Sequence, residues 1–276
     1  MASTDKFITI NGLKLHYVEH GDPRNPAFLY LTGAGGTAHD GDILASQIVD
    51  RYHVLALTQR GHGDSDRSEN YEGMVFLEDT ASFIEATGSA PAVVCGLSMG
   101  GMIGLGLAAL HPDKVAKLID VDSGPEGDPE GRKRLVDAVL TIPDAFDSMD
   151  ELIAAHRVAL RGIPDDALRR GLEFDTVRGE DGKLRRKTDP AFVRSAFLED
   201  GGARNQDMEN ALWGACAMIK CPTLIVRGSR SDILSRKTAE RMVAAIPNAQ
   251  LVEVDAEHAV PYENPEGFYQ AIKDFI

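Results

Sequence analysis

The chain has 276 residues, 43% of them apolar, and a formal net charge of −14 at pH 7. That length and apolar content allow one large domain, or a domain with an insertion, around a sizeable core. The acidic balance argues against nucleic acid and anionic membrane surfaces as partners, because both are held by basic patches.

The three cysteines, Cys95, Cys216 and Cys221, suggest neither a disulfide framework nor a paired zinc spacing, which fits a reducing compartment. The opening Met-Ala-Ser-Thr-Asp-Lys has no basic region followed by an apolar stretch. The longest apolar run, Gly101–Leu110, is too short to span a bilayer. A cytoplasmic protein without a membrane partner is expected.

In chain order, Phe7–Ile10 and Leu13–Val18 flank the hairpin dipeptide Asn11-Gly12. Ala27–Leu31 is a short apolar strand that runs into Thr32-Gly33-Ala34-Gly35-Gly36, and a helical pattern continues to about Val49. His53–Leu57 is the next buried strand, followed by the loop Arg60-Gly61-His62-Gly63-Asp64-Ser65, which His62 is expected to shape. A helix over Gly73–Ala86 precedes the strand Ala92–Cys95, a helix over Ser98–Leu110 and the strand Val115–Val121. Later come the strand Pro222–Val226, a helix over Arg236–Ile246, the strand Leu251–Val254 and a helix over Pro265–Phe275. Short apolar runs alternating with helices predict an α/β fold, a mostly parallel sheet covered on both faces.

The stretch 123–219 breaks this rhythm. It opens on the loop Gly-Pro-Glu-Gly-Asp-Pro-Glu-Gly and carries amphipathic patterns at Arg132–Leu140, Met149–Leu160, Asp165–Leu172 and Pro190–Leu198. Gly179–Lys187 reads as a charged turn, and no buried strand is evident. The predicted organisation is a core of residues 1–122 and 220–276 with a helical cap, residues 123–219, over the C-terminal edge of the sheet.

The most telling segment is Gly96-Leu97-Ser98-Met99-Gly100, between an apolar strand and a helix. A serine on such a turn is exposed, with the backbone N–H of the next residue facing the same space. The glycines allow the close approach of strand and helix that the turn imposes. A serine hydroxyl needs a base within reach and an acid to orient that base. His258, in the loop after Leu251–Val254, is the candidate base. Asp232, in the loop after Pro222–Val226, is the expected acid, with Asp120 and Asp122 at the end of Val115–Val121 as competing positions. The developing oxyanion needs two N–H donors, expected from Met99 and from Ala34 in the glycine-rich loop. Gly33, Gly35, His39 and Trp213 are candidate pocket residues, although Trp213 could equally be cap packing.

These elements and motifs, along essentially the full length, resemble the α/β-hydrolase fold family. The resemblance implies a capped serine hydrolase whose cap supplies much of the substrate contact. Thr32 stands where many members have His before the oxyanion glycine, Thr58 where many have Asp before Gln-Arg-Gly, and Glu257 where many have Gly before the catalytic His. A carboxylate beside the base is expected to raise its pKa.

Two other motifs are rejected. His16-Tyr17-Val18-Glu19-His20 matches the zinc-protease pattern H-x-x-E-H, but on a strand the two imidazoles stand roughly 13 Å apart, so no metal site is expected. Gly33-Ala34-Gly35-Gly36-Thr37-Ala38 matches a dinucleotide fingerprint, but Thr58 stands where the acidic ribose partner belongs. The expected function is cleavage of a carboxylic ester or lactone of a small molecule through an acyl-enzyme, with no cofactor. The alternative is hydrolysis of a C–C bond beside a ketone. A non-catalytic ligand-binding protein and a dinucleotide-binding oxidoreductase are the more distant readings.

Overall fold

The computed structural model describes residues 3–197 and 206–276. Its first strands, β1 (Thr4–Ile10) and β2 (Leu13–His20), form a hairpin through Asn11 and Gly12, with φ of +51° and +81°. Both turn residues thus adopt the left-handed conformation that a tight two-residue hairpin requires. The chain continues through β3 (Ala27–Leu31), α1 (Asp42–Ile48), β4 (His53–Leu57), α2 (Gly73–Ala86), β5 (Ala92–Leu97), α3 (Met99–Leu110) and β6 (Val115–Val121). After the intervening segment come β9 (Thr223–Gly228), α9 (Arg236–Ala245), β10 (Ala249–Val254), α10 (Val260–Glu263) and α11 (Pro265–Ile272).

The eight strands run in the order β1-β2-β4-β3-β5-β6-β9-β10. β2 pairs antiparallel with β1 and β4, and every other pair is parallel. Alternation along each strand sends neighbouring side chains into different cores. Leu29 and Leu31 of β3 pack with Phe76, Phe83, Ile103 and Leu105 of α2 and α3. Phe28 and Tyr30 of the same strand pack on the opposite face, with Leu44 and Ile48 of α1 and Phe268 and Ile272 of α11. Each such buried side chain contributes about 1.5–3 kcal/mol, enough in sum to hold the C-terminal ends of β3, β5, β6, β9 and β10 in one rim.

Between β6 and β9 lie α4 (Pro129–Leu140), α5 (Met149–His156), α6 (Asp165–Phe174), β7 (Thr176–Arg178), β8 (Leu184–Arg186), α7 (Pro190–Phe197) and α8 (Gln206–Met218). Asp128 caps α4 by accepting from the N–H groups of Glu130 and Gly131, and Pro129 sits at its first position. The helix expected over Pro190–Leu198 is present to Phe197; Leu198 lies outside the described residues. A third core joins Phe146, Leu152, Leu168, Leu172 and Leu184 to Ala259, beside His258.

One expectation for this segment is corrected. The charged stretch Gly179–Lys187 is not simply a turn, because Leu184–Arg186 pairs antiparallel with Thr176–Arg178. Three-residue strands are too short to leave a recognisable alternation in sequence. The segment also shares a core with the sheet's helices. Phe192 of α7 and Cys216 of α8 are buried in the core that α2 and α3 share, and α8 lies against α3. No helix among the described residues is long and apolar enough to cross a membrane.

Candidate active site

Ser98 follows β5 with φ +54° and ψ −113°, a strained backbone held by a 2.9 Å hydrogen bond from its N–H to Val121 O. Strain of this kind costs about 1–3 kcal/mol and persists only where the surroundings enforce it. The flanking glycines explain how. A Cβ on Gly96 would lie 2.2 Å from Gly100 O, and one on Gly100 would lie 2.3 Å from Leu31 O. Only hydrogen at both positions lets α3 start this close to β5 and β3. Ser98 is half-buried. The N–H of Met99, at the first position of α3, has no acceptor within the helix. Gly33 stands across from Ser98: a Cβ there would meet Ser98 Cβ at 3.5 Å. Ala34, next in that loop, is exposed.

His258 sits in the loop between β10 and α10, on the same rim. Its Nδ1 lies 2.7 Å from Oδ2 of Asp122, which is fully buried. An ionised carboxylate can only accept, so Nδ1 carries the hydrogen and Nε2 is left as the basic nitrogen. Asp122 follows β6 with φ +47°. Its Oδ1 accepts from Gly228 N–H at 2.9 Å, and its Oδ2 also accepts from the Ser231 hydroxyl at 2.6 Å. The loop after β9 therefore orients the carboxylate rather than supplying it.

The expectation for Asp232 is corrected here. Its carboxylate receives Arg134 Nε at 2.7 Å and Arg161 Nη2 at 2.9 Å and is about one-third exposed. Those guanidiniums hold its pKa below the usual carboxylate value against the opposing effect of burial. Two residues earlier than Asp122, Asp120 accepts from the Ser123 hydroxyl. Glu257, expected to act on the base through its charge, turns its carboxylate to Arg161 at 3.4 Å.

The remaining candidates are placed as follows. Gly35 O accepts from Arg186 Nη2 at 2.7 Å, so a strand of the inserted segment grips the glycine-rich loop. His39 does not stand free beside the serine: both ring nitrogens face carboxylates, Asp42 at 3.0 Å and Asp5 at 2.9 Å, and its ring stacks on Phe174. Trp213 donates to Glu126 at 2.9 Å and carries Arg241 over its ring. Glu126, not Trp213, lines the cavity at Ser98, which also touches Asp122, Ile233 and Leu234. That cavity measures about 20 Å³, space for a water molecule.

Two further features support the site. Asp40 Oδ2 accepts from the Thr32 hydroxyl at 2.5 Å and from Thr37 N–H at 2.9 Å, and the Tyr262 phenol hydrogen-bonds the same carboxyl. Burial pushes this carboxyl up despite those donors. Thr32, where many members of the family have His, thus ties the glycine-rich loop to the helix after His258; the departure at Thr32 was its signal in the sequence. The second is His62, fully buried against Phe192, with Nδ1–H donating to Arg60 O at 2.8 Å. Burial holds its pKa down at about 4, so the ring is neutral.

The chain is similar to known hydrolases in sequence and fold. The chain is 31% identical to the 3-hydroxybutyrate-oligomer hydrolase of Cupriavidus necator, covering 91% of this chain and 89% of that protein. It is 28% identical to the 2-(acetamidomethylene)succinate hydrolase of Mesorhizobium japonicum, covering 99% and 97%. A crystal structure of E-2-(acetamidomethylene)succinate hydrolase superposes with a TM-score of 0.89 at 27% identity, covering 99% of each chain. A family model described as the alpha/beta hydrolase family matches residues 26–271, and the chain belongs to that family.

Proposed function

We propose that the protein is a serine hydrolase that cleaves a carboxylic ester or lactone of a small molecule through an acyl-enzyme, with Ser98 as nucleophile, His258 as base and Asp122 as the orienting acid. The observation that carries this reading is the 2.7 Å bond from His258 Nδ1 to a buried, doubly clamped carboxylate, on the rim that also bears the strained serine. The bond selects the tautomer whose Nε2 can accept the Ser98 proton as Oγ attacks the carbonyl carbon.

Charge then grows on the carbonyl oxygen, where the N–H groups of Met99 and Ala34 are the assigned donors. Removing one such donor costs roughly 3–4 kcal/mol of transition-state stabilisation. Collapse of the tetrahedral intermediate expels the alkoxide, which takes the proton from His258, and water releases the acid by the same route. Relatives named for hydrolysing a 3-hydroxybutyrate oligomer and 2-(acetamidomethylene)succinate support a small substrate that carries or yields a carboxylic acid. The cavity at Ser98 has space for a water molecule, so seating an acyl group would require part of its lining, such as Ile233 and Leu234, to move.

A fluorophosphonate probe tests nucleophilicity without knowledge of the substrate. It is expected to label Ser98 in the wild-type protein, and Ser98→Ala is expected to remain unlabelled. Turnover of short p-nitrophenyl esters is expected to vanish in Ser98→Ala and His258→Ala. Equal turnover by wild type and Ser98→Ala would sink the assignment, and cleavage only of ketone-bearing carbon chains would replace the ester by a C–C bond.

A further inference from the structure

We propose that His16 Nε2, His39 Nε2 and Asp5 Oδ1 form a binding site for a divalent transition-metal ion of the zinc type, which would fasten β1 and β2 to the turn that follows the glycine-rich loop.

The three ligand atoms come from separate parts of the chain and lie within 4.8 Å of one another. Asp5 Oδ1 is 2.9 Å from Nε2 of His16 and 2.9 Å from Nε2 of His39. A tetrahedral zinc ion with bonds of about 2.0–2.2 Å sets its ligand atoms roughly 3.3 Å apart, so each of those contacts needs to open by only a few tenths of an ångström. Asp5 is 58% exposed while both imidazoles are buried, which gives an ion an entry side and room for a water ligand.

The outer contacts also suit a metal. The far nitrogen of His39 faces the Asp42 carboxylate at 3.0 Å, the arrangement that fixes metal-binding histidines. The far nitrogen of His16 lies 2.9 Å from Thr58 Oγ1, which also accepts from Ala38 N–H at 2.8 Å. Phe174 stacks on His39 with 3.6 Å between ring centres, and Phe7 packs on His16. Donor counting leaves a place for a cation: a neutral His39 has one N–H between two carboxylates, and either a second proton or a metal ion fills the other contact.

His16 opens the rejected H-x-x-E-H motif, and that rejection stands for the rest of it. Glu19 pairs with Lys6 and His53, and His20 Nε2 meets Asp42 at 3.1 Å instead of sharing an ion with His16. The ligand that sequence spacing could not supply is His39, brought alongside His16 by the fold with 5.8 Å between ring centres.

The test is independent of the proposed hydrolase activity and is run on tag-free, chelator-stripped protein, in wild-type and Ser98→Ala forms. Calorimetric titration with ZnCl2 is expected to show one equivalent bound in both. A hundredfold excess over Kd is expected to raise Tm by about 5 °C or more. Co²⁺ is expected to give the visible absorption of a four-coordinate site. Asp5→Ala, a change at an exposed side chain, and His39→Gln are each expected to abolish that binding; Asp42→Asn is expected to weaken it about 10–100-fold. No saturable binding by the wild type, or affinity unchanged in Asp5→Ala, overturns the proposal.

Discussion

The loops after β6 and β9 leave neighbouring strands at the same rim, and each presents an aspartate. Asp122 is fully buried, with its oxygens taken by Gly228, Ser231 and His258. Asp232 is one-third exposed and held by two arginines. Both are ionisable carboxylates at a strand end, so residue type and strand position do not separate them. What separates them is desolvation. A carboxylate removed from water acts with its full field on the imidazole beside it, whereas one paired with Arg134 and Arg161 at the surface is screened and already neutralised.

The largest expected effect exploits this contrast directly. Asp122→Asn is expected to lower kcat for ester hydrolysis by about 10⁴-fold, because an amide favours the wrong imidazole tautomer. Asp232→Asn is expected to stay within a few-fold of wild type. If the steady-state kinetics reverse this order, the comparison fails.

The next effect extends the contrast to a second fully buried titratable group. His62 stays neutral down to about pH 4, while an unfolded histidine takes up a proton near pH 6.5. Between those values the unfolded chain binds more protons, so stability falls as pH falls. His62's share is whole above about pH 6.5 and declines by about 3 kcal/mol on acidification to pH 4. Urea denaturation at a series of pH values is expected to show this slope, and His62→Gln is expected to flatten it. His156, which burial and Arg186 likewise hold at about 4, is expected to supply the remainder.

Smaller still is the loss of one clamp. Ser231→Ala removes a 2.6 Å hydrogen bond to Asp122 and is expected to lower kcat about tenfold, by the roughly 1.5 kcal/mol of a bond to a charged group, with KM little changed. The smallest effect belongs to the exposed side of the comparison. Arg161→Gln loosens Asp232 and Glu257 and is expected to cost under about 1 kcal/mol in thermal denaturation. A cost of several kcal/mol there would mean that the surface cluster is as tightly coupled as the buried one.

The split between what could and could not be read follows the range of the interactions. The elbow was legible because its causes are local: an apolar strand, two glycines where a Cβ would strike backbone, and a helix start. The late histidine was legible because it follows the last strand. Asp232 was expected to orient His258, which Asp122 meets instead, because adjacent parallel strands end at one rim, and nothing local says which loop carries the carboxylate and which carries its clamps. Tyr262 and Arg186 were invisible for the same reason; each meets the glycine-rich loop or its anchor Asp40 from a distant part of the chain. The β7–β8 hairpin escaped because three residues per strand hold no readable period.

Sequence alone determined the order of the eight sheet strands and the longer helices between them, the α/β class, the strained serine and the imidazole after the last strand, because periodicity and tight-turn sterics act over a few residues. The tertiary structure decided that Asp122 and not Asp232 meets His258, that α8 joins the core on α3, and that His16 stands beside His39 rather than working with His20. Those choices depend on which distant groups share one water-poor space, and that is settled only when the sheet has closed its faces.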